Sequence, residues 1–146
     1  MKPDIIVTDD PAVADRAAVL DGLIAYNDGR VGPSPLVPLA VLLRDARNGD
    51  TIGGLYSYFL YDWLYVELLI VPESWRGAGL GTELMRRAEA KAIERGCAGI
   101  WLNTFSFQAR GFYEKLGYQV FGVLNDNPRG AQRFFMRKLL PVPTTR

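Results

Sequence analysis

The sequence predicts a mixed α/β fold, with a central mixed β-sheet and helices packed on it. Three observations carry this expectation. Short apolar runs rich in β-branched and aromatic residues recur along the chain. Three stretches instead read as helices, two of them repeating apolar residues every three or four positions. The two kinds interleave in the order β-α-β-β-β-α-β-α-β-β. At 146 residues, 49% of them apolar and 23% charged, the chain fits one globular domain, 1–146, with a sizeable core.

Ile5 to Val7 reads as a short first strand. Asp10 then offers an N-cap, with Pro11 at the first helical position. Val13, Ala17, Leu20 and Ile24 follow on one helical face, and the helix is expected to fail around Asn27 to Gly29. Gly32-Pro33-Ser34-Pro35 is an irregular loop. Leu39 to Leu43 and Ile52 to Leu60 are strands joined by the turn Asn48-Gly49-Asp50. Trp63 to Val71 is the most strand-like run, set off from its predecessor at Tyr61-Asp62. Strict alternation there groups Tyr65, Glu67, Leu69 and Val71 against Leu64, Val66, Leu68 and Ile70. Both faces are largely apolar, as in a central strand.

Leu80, Leu84, Ala88 and Ala92, with Met85 beside them, mark the buried stripe of a second helix. Glu83 and Arg87 pair on its wet face, and Gly96 stops it. Ile100 to Phe105 is a strand, and Ser106 to Leu116 a shorter helix ended by Gly117. Tyr118 to Leu124 and Arg133 to Leu140 form a final strand pair around Asn125 to Gln132.

Composition excludes several classes of function. Seventeen Lys and Arg against sixteen acids give no global field for nucleic acid or anionic membrane. No run approaches a membrane span and no signal segment opens the chain, which predicts a cytoplasmic protein. A single cysteine and no histidine exclude an intrachain disulfide and argue against a zinc site, so no metal is expected. Without histidine, acid–base chemistry near neutral pH falls to a carboxylate, Tyr, Lys, Cys97 or an ordered water.

The informative segment is Val71-Pro72-Glu73-Ser74-Trp75-Arg76-Gly77-Ala78-Gly79-Leu80-Gly81-Thr82. A buried strand ends, glycines stand at three alternate positions, and a long helix begins. That arrangement exposes backbone N–H groups at a helix N-terminus, which suits phosphate oxygens. Glycine lets a diphosphate approach the backbone. A dinucleotide fingerprint from Gly77 would need glycine where Thr82 stands, and from Gly79 where Leu84 stands. A P-loop would need a Gly-Lys-Ser/Thr ending, and no lysine follows before Lys91.

Arg76-Gly77-Ala78-Gly79-Leu80-Gly81 resembles the R/Q-x-x-G-x-G/A signature of the GNAT acetyltransferases. Downstream, Ala109-Arg110-Gly111-Phe112-Tyr113-Glu114-Lys115-Leu116-Gly117-Tyr118 is similar to the same family's A-x-x-F/L-Y-E-K-L-G-F/Y helix, at the expected distance. The likeness is close from residue 63 to about Tyr118 and rests on element order elsewhere. It implies a GNAT-type central mixed sheet with splayed strands, flanked by helices. The implied co-substrate is acetyl-CoA, with its diphosphate on Arg76, Gly77, Ala78, Gly79, Leu80, Gly81 and Thr82.

The resemblance implies further roles. A bulge would splay the strand before the glycines, freeing backbone groups of Leu69, Ile70 and Val71 to hold pantetheine and polarise the thioester carbonyl. Phe112 would contact the cofactor, and Tyr113 would protonate the departing thiolate. Ser106 stands where many relatives carry Asn. It retains a helix-capping hydroxyl and one hydrogen bond for the cofactor.

Each candidate has a plain structural alternative. Tyr113 shares a helix face with Ala109 and Leu116 and would also serve as core. Glu67, two residues before the expected bulge, would be the general base or amine binder if burial raised its pKa, or else half of an ion pair. Tyr56, Tyr58 and Tyr65 would line an acceptor pocket or cover the core, and Asn103 would touch substrate or its own backbone. Cys97 follows the far end of the second helix, roughly 24 Å from the diphosphate at ~1.5 Å per residue. Direct transfer is therefore expected, not an acetyl-cysteine relay.

The expected activity is transfer of an acetyl group from acetyl-CoA directly to a primary amine, on a small molecule or a peptide. A non-catalytic acyl-CoA-binding sensor or partner module is the alternative. Leu69, Ile70 and Phe112 leave little room for a longer acyl chain. The acceptor site is expected from residues 26–38 and 125–132, where Asp28 and Asp126 are offset by Arg30, Arg129 and Arg133. A homodimer through the aromatic C-terminal strand is a further expectation, since the superfamily often dimerises.

Overall fold

The computed structural model describes residues 1–141. The chain divides into two compact units, Met1–Pro35 and Leu36–Arg146. The first holds one helix, α1 (Val13–Val31). Residues 5–7 form no strand, because no neighbouring strand supplies the ladder that a three-residue run needs. Helix α1 starts after Ala12, not at Asp10, and the Asp15 carboxylate accepts the Ala12 N–H at 2.9 Å. It runs through Asn27–Gly29 to Val31. A mid-helix glycine costs only about 1 kcal/mol, whereas Gly32, at φ 83° with its N–H donating to the Asp28 carbonyl, makes a better stop.

In the second unit the order is β1 (Val37–Arg44), β2 (Thr51–Leu60), β3 (Trp63–Ile70), α2 (Leu80–Glu94), β4 (Gly99–Phe105), α3 (Arg110–Lys115), β5 (Gln119–Asn125) and β6 (Gln132–Leu139). A 3-10 turn at Glu73–Trp75 precedes α2. The sheet is six-stranded and mixed, in spatial order β1-β2-β3-β4-β6-β5, with β3 and β4 parallel and every other pair antiparallel. The β1–β2 turn closes where expected, Asp50 N–H bonding the Asn48 side chain. Tyr61 and Asp62 both take positive φ at the β2–β3 turn, the geometry that a two-residue hairpin loop demands.

Alternate residues of the strands send Leu55, Phe59, Leu64, Val66, Ile100, Leu102 and Met136 into the core, against Leu84, Met85, Ala88 and Ala92 of α2. Glu89 joins the buried face of α2, which the apolar stripe did not announce. Lys138 on β6 reaches it at 2.8 Å and 3.2 Å, so the charge is paired.

Two features of β3 make a gap in the sheet. Tyr56 pairs with Leu68 and Ser57 with Val66, so Glu67 is the extra residue of a β-bulge. The bulge thus lies two residues earlier than expected. It also breaks the alternation: Leu69 and Val71 pack on the same core as Leu64 and Val66, while Leu68 and Ile70 are exposed. Pairing of β3 with β4 covers only Trp63–Val66 against Gly99–Leu102. Beyond that point β3 continues along β2 and β4 along β6, and the two diverge.

Helix α3 is shorter than expected. It begins after Ala109, and Ser106 does not cap it. The Ser106 hydroxyl instead accepts the Gln132 N–H at 3.0 Å, and its own N–H donates to the Gln132 carbonyl. The serine is used in extending the β4–β6 ladder.

Candidate active site

The gap between β3 and β4 opens into a cleft of about 640 Å³. Glu67, Leu69, Ile70 and Val71 stand on the β3 wall and Leu102, Asn103 and Thr104 on the β4 wall, with Phe107, Gln108, Ala109 and Tyr113 closing it. Glu67 is exposed at the bulge, so the burial expected of it is absent. A second cleft of about 450 Å³ adjoins the first, sharing Leu69, Val71, Arg76 and Ala109. Trp75, Gly77, Gly79, Leu80, Gly81, Thr82 and Phe112 complete its lining. Ala78 and Ser106 line neither.

The second cleft is built from backbone. Gly79 is the N-cap of α2, and no side chain caps it. The first N–H groups of the helix therefore lack the partner that a Ser or Asp would supply. Gly79 sits at φ +78°, and a Cβ there would project into open space, so the glycine leaves those donors open to an anion. Gly81 serves differently: a Cβ would come within 3.2 Å of the Phe112 ring, so this glycine lets α3 approach α2. Arg76 donates its Nε to the Val71 carbonyl at 2.9 Å, tying the turn to the end of β3. A diphosphate fits this donor set.

Tyr113 is buried, 8% exposed, edge-on to Phe112 and Tyr118. Its hydroxyl makes no hydrogen bond among the described residues, and burial pushes its pKa up to about 12. It stays protonated at neutral pH and can donate a hydrogen bond into the cleft. Gln108, unremarked in the sequence, holds the loop before α3 by accepting the Phe105 N–H at 2.8 Å. Cys97 is buried, and that burial raises its thiol pKa, with Arg95 opposing less strongly. It lines neither cleft.

On the sheet face opposite α2, Tyr65, Trp101, Asn103 and Arg133 meet. Asn103 Nδ2 donates to the Tyr65 hydroxyl at 2.8 Å, and Arg133 Nε donates to Asn103 Oδ1 at 2.8 Å. Tyr65 lies 4.2 Å from Trp101 and 5.3 Å from Tyr58, ring centre to ring centre. Burial, then the neighbouring Tyr65 and Glu67 charges, raise the Tyr58 pKa. Tyr56 is 46% exposed and lines neither cleft. No residue of 125–132 lines either cleft, and Asp126 is engaged in its own turn, accepting the Gly130 N–H.

The acetyltransferase (GNAT) family profile matches residues 20–118, spanning β1 to α3 and both clefts. The chain belongs to the GNAT acetyltransferase family. It is 34% identical over 135 residues to the acetyltransferase Atu2258 of Agrobacterium fabrum, covering 92% of this chain and 98% of that protein. It is 43% identical over 94 residues to the blasticidin-S acetyltransferase of Streptomyces morookaense, covering 64% and 69% respectively. The crystal structure of an acetyltransferase from Bacillus cereus superposes with a TM-score of 0.81 at 30% identity, covering 92% of this chain and 98% of that one. An aminoglycoside 6'-N-acetyltransferase solved with coenzyme A shares the fold, with a TM-score of 0.63 at 24% identity over 73% and 76% of the two chains. This GNAT protein is thus an acetyl-CoA-dependent N-acetyltransferase. Among its described residues no helix is long and apolar enough to cross a membrane.

Proposed function

We propose that the protein moves the acetyl group of acetyl-CoA directly onto a primary amine of a small molecule, within the gap between β3 and β4. The observation that carries this reading is the continuity of the two clefts through Leu69, Val71, Arg76 and Ala109. A ligand with its diphosphate on the uncapped end of α2 can run its pantetheine arm between the splayed strands. Its thioester then lies between Glu67 and Tyr113. The likeness to a blasticidin-S acetyltransferase favours a small-molecule acceptor over a peptide.

In this reading the amine nitrogen attacks the thioester carbonyl, a C–N bond forms and the C–S bond breaks. Backbone N–H groups of the Leu69–Val71 stretch stabilise the oxyanion. Glu67, at the open mouth of the cleft, accepts a hydrogen bond from the amine or from the water that removes its proton. Tyr113 donates a hydrogen bond to the departing sulfur. A phenol at about 12 is a weaker acid than a thiol, ordinarily near ~8.5. Complete transfer from Tyr113 is therefore uphill, and the sulfur takes its proton from the amine by way of water. With Cys97 buried away from both clefts, no covalent relay enters.

The test is release of free thiol from acetyl-CoA in the presence of a panel of small primary amines. Amine-dependent thiol release with one N-acetyl product per thiol is expected. Tight acetyl-CoA binding with no turnover on any amine would favour a non-catalytic acyl-CoA sensor instead.

A further inference from the structure

Beside the first cleft, on the strand next to its β4 wall, stands a cation that lines neither cleft and that no carboxylate pairs with among the described residues. Arg133 is half-buried, its guanidinium 5.2 Å from the Phe105 ring centre and 5.4 Å from that of Phe135. Its one hydrogen bond among the described residues uses Nε, toward Asn103, and no carboxylate pairs with it there. The two rings and Asn103 hold the guanidinium plane, leaving both terminal nitrogens for another partner. A planar fork held in this way matches a carboxylate bidentately.

Position relates this fork to the reacting centre. Asn103 lies on the cleft wall facing Glu67, and it bridges Tyr65 on β3 to Arg133 on β6. Strands β3 and β6 flank β4, so their axes are roughly 10 Å apart at ~4.8 Å per strand where all three pair, and farther apart at Glu67, beyond the end of β3–β4 pairing. A substrate whose amine sits beside Glu67 can place an anionic end at Arg133 only if several bonds separate the two. An α-amino acid, with both charges on one carbon, is too short. Phe105, the β4 partner of Arg133, lies along that path and offers a flat or apolar stem an aromatic face.

We infer that the acceptor is an amine bearing a carboxylate at its far end, with Arg133 as the specificity-determining residue and Asn103 as the side chain that positions it. This rests on the reading of the β3–β4 gap as the transfer site and names the substrate class for it. Asp126, which sequence distance alone sets against Arg133, accepts the Gly130 N–H within its own turn, and no ion pair joins it to Arg133 among the described residues.

The experiment compares two probes that differ only in charge, 4-(aminomethyl)benzoate and 4-(aminomethyl)benzamide. Each is titrated calorimetrically into the protein saturated with coenzyme A. The acid is expected to bind at least tenfold tighter than the amide. Arg133→Gln should weaken the acid at least tenfold and the amide no more than twofold. Should Arg133→Gln fail to fold, Arg133→Lys carries the test. It keeps the charge, loses the fork, and should reduce the preference several-fold. Equal affinities, binding of neither probe, or an equal loss for both in the variant would overturn the inference. Coenzyme A binding, read in the same protein beforehand, separates the two ideas. Its absence removes the transfer-site reading itself, whereas its presence without an acid preference removes only the role of Arg133.

Discussion

The two ends of the cleft are built from different materials. The end at α2 is backbone, with an uncapped helix terminus, a glycine at positive φ and an arginine tied to the Val71 carbonyl. The other end is side chains, Glu67, Asn103, Tyr113 and, behind them, Arg133. A backbone site recognises what every acetyl-CoA reaction shares and cannot be trimmed by one substitution, only blocked. A side-chain site can be altered one group at a time, and in the proposed reading acceptor choice and chemistry are tuned there.

The largest expected effect follows from blocking. Gly79→Glu puts a carboxylate where the diphosphate meets the α2 donors and forces a side chain into positive φ, which by itself costs about 1–2 kcal/mol. Acetyl-CoA should bind the native protein in the low-micromolar range, about −8 kcal/mol, and should give no measurable heat with the variant. Retained binding would mean that the turn is not the diphosphate site and would dissolve the contrast between the two ends.

The second effect trims instead of blocking. Tyr113→Phe removes one hydroxyl from the side-chain end and nothing from the backbone end. It should lower kcat by about a hundredfold, as loss of one donor to developing charge does, leaving acetyl-CoA affinity within about twofold. Steady-state kinetics with separate determination of the acetyl-CoA dissociation constant would read both. Unchanged turnover would take Tyr113 out of the chemistry and leave it as core.

How well each end can be read from sequence follows the same division. The glycines and the α2 stripe lie within one contiguous stretch, so spacing alone located the turn, the helix and the strand before it. The side-chain end is assembled across the sheet: Tyr65 and Asn103 are 38 residues apart, and Asn103 and Arg133 are 30 apart. No local period encodes such a meeting. The bulge escaped for a related reason, since it is a mismatch of register between β2 and β3 that neither strand expresses alone. Once Glu67 is the extra residue, every later side chain of β3 changes face. Ser106 was read as a cap because it precedes a helical pattern, but the β6 backbone offered it a partner first.

The smallest expected effect separates the two ends by stability. Tyr113 belongs to the core as well as to the cleft, and its pKa rises through burial from 10.0 to about 12. In the unfolded chain the phenol ionises near ~10. Between these values the unfolded state binds fewer protons than the folded one, so stability falls as pH rises. The contribution is whole below pH ~10 and is lost progressively up to about pH 12. Two units at ~1.36 kcal/mol each make this about 2–3 kcal/mol at full extent, and about 1 kcal/mol by pH 11. Tyr118, raised in the same direction by burial and then by the Glu89 and Tyr113 charges, adds to the slope. Urea unfolding followed by tryptophan fluorescence at pH 9, 10 and 11 should show the native protein losing stability faster than Tyr113→Phe. Gly79→Glu should keep the native slope, because the α2 end holds no buried titrating group. Equal slopes for the native protein and Tyr113→Phe would mean that the hydroxyl is open to water, and the side-chain end would then lie outside the core, as the backbone end does.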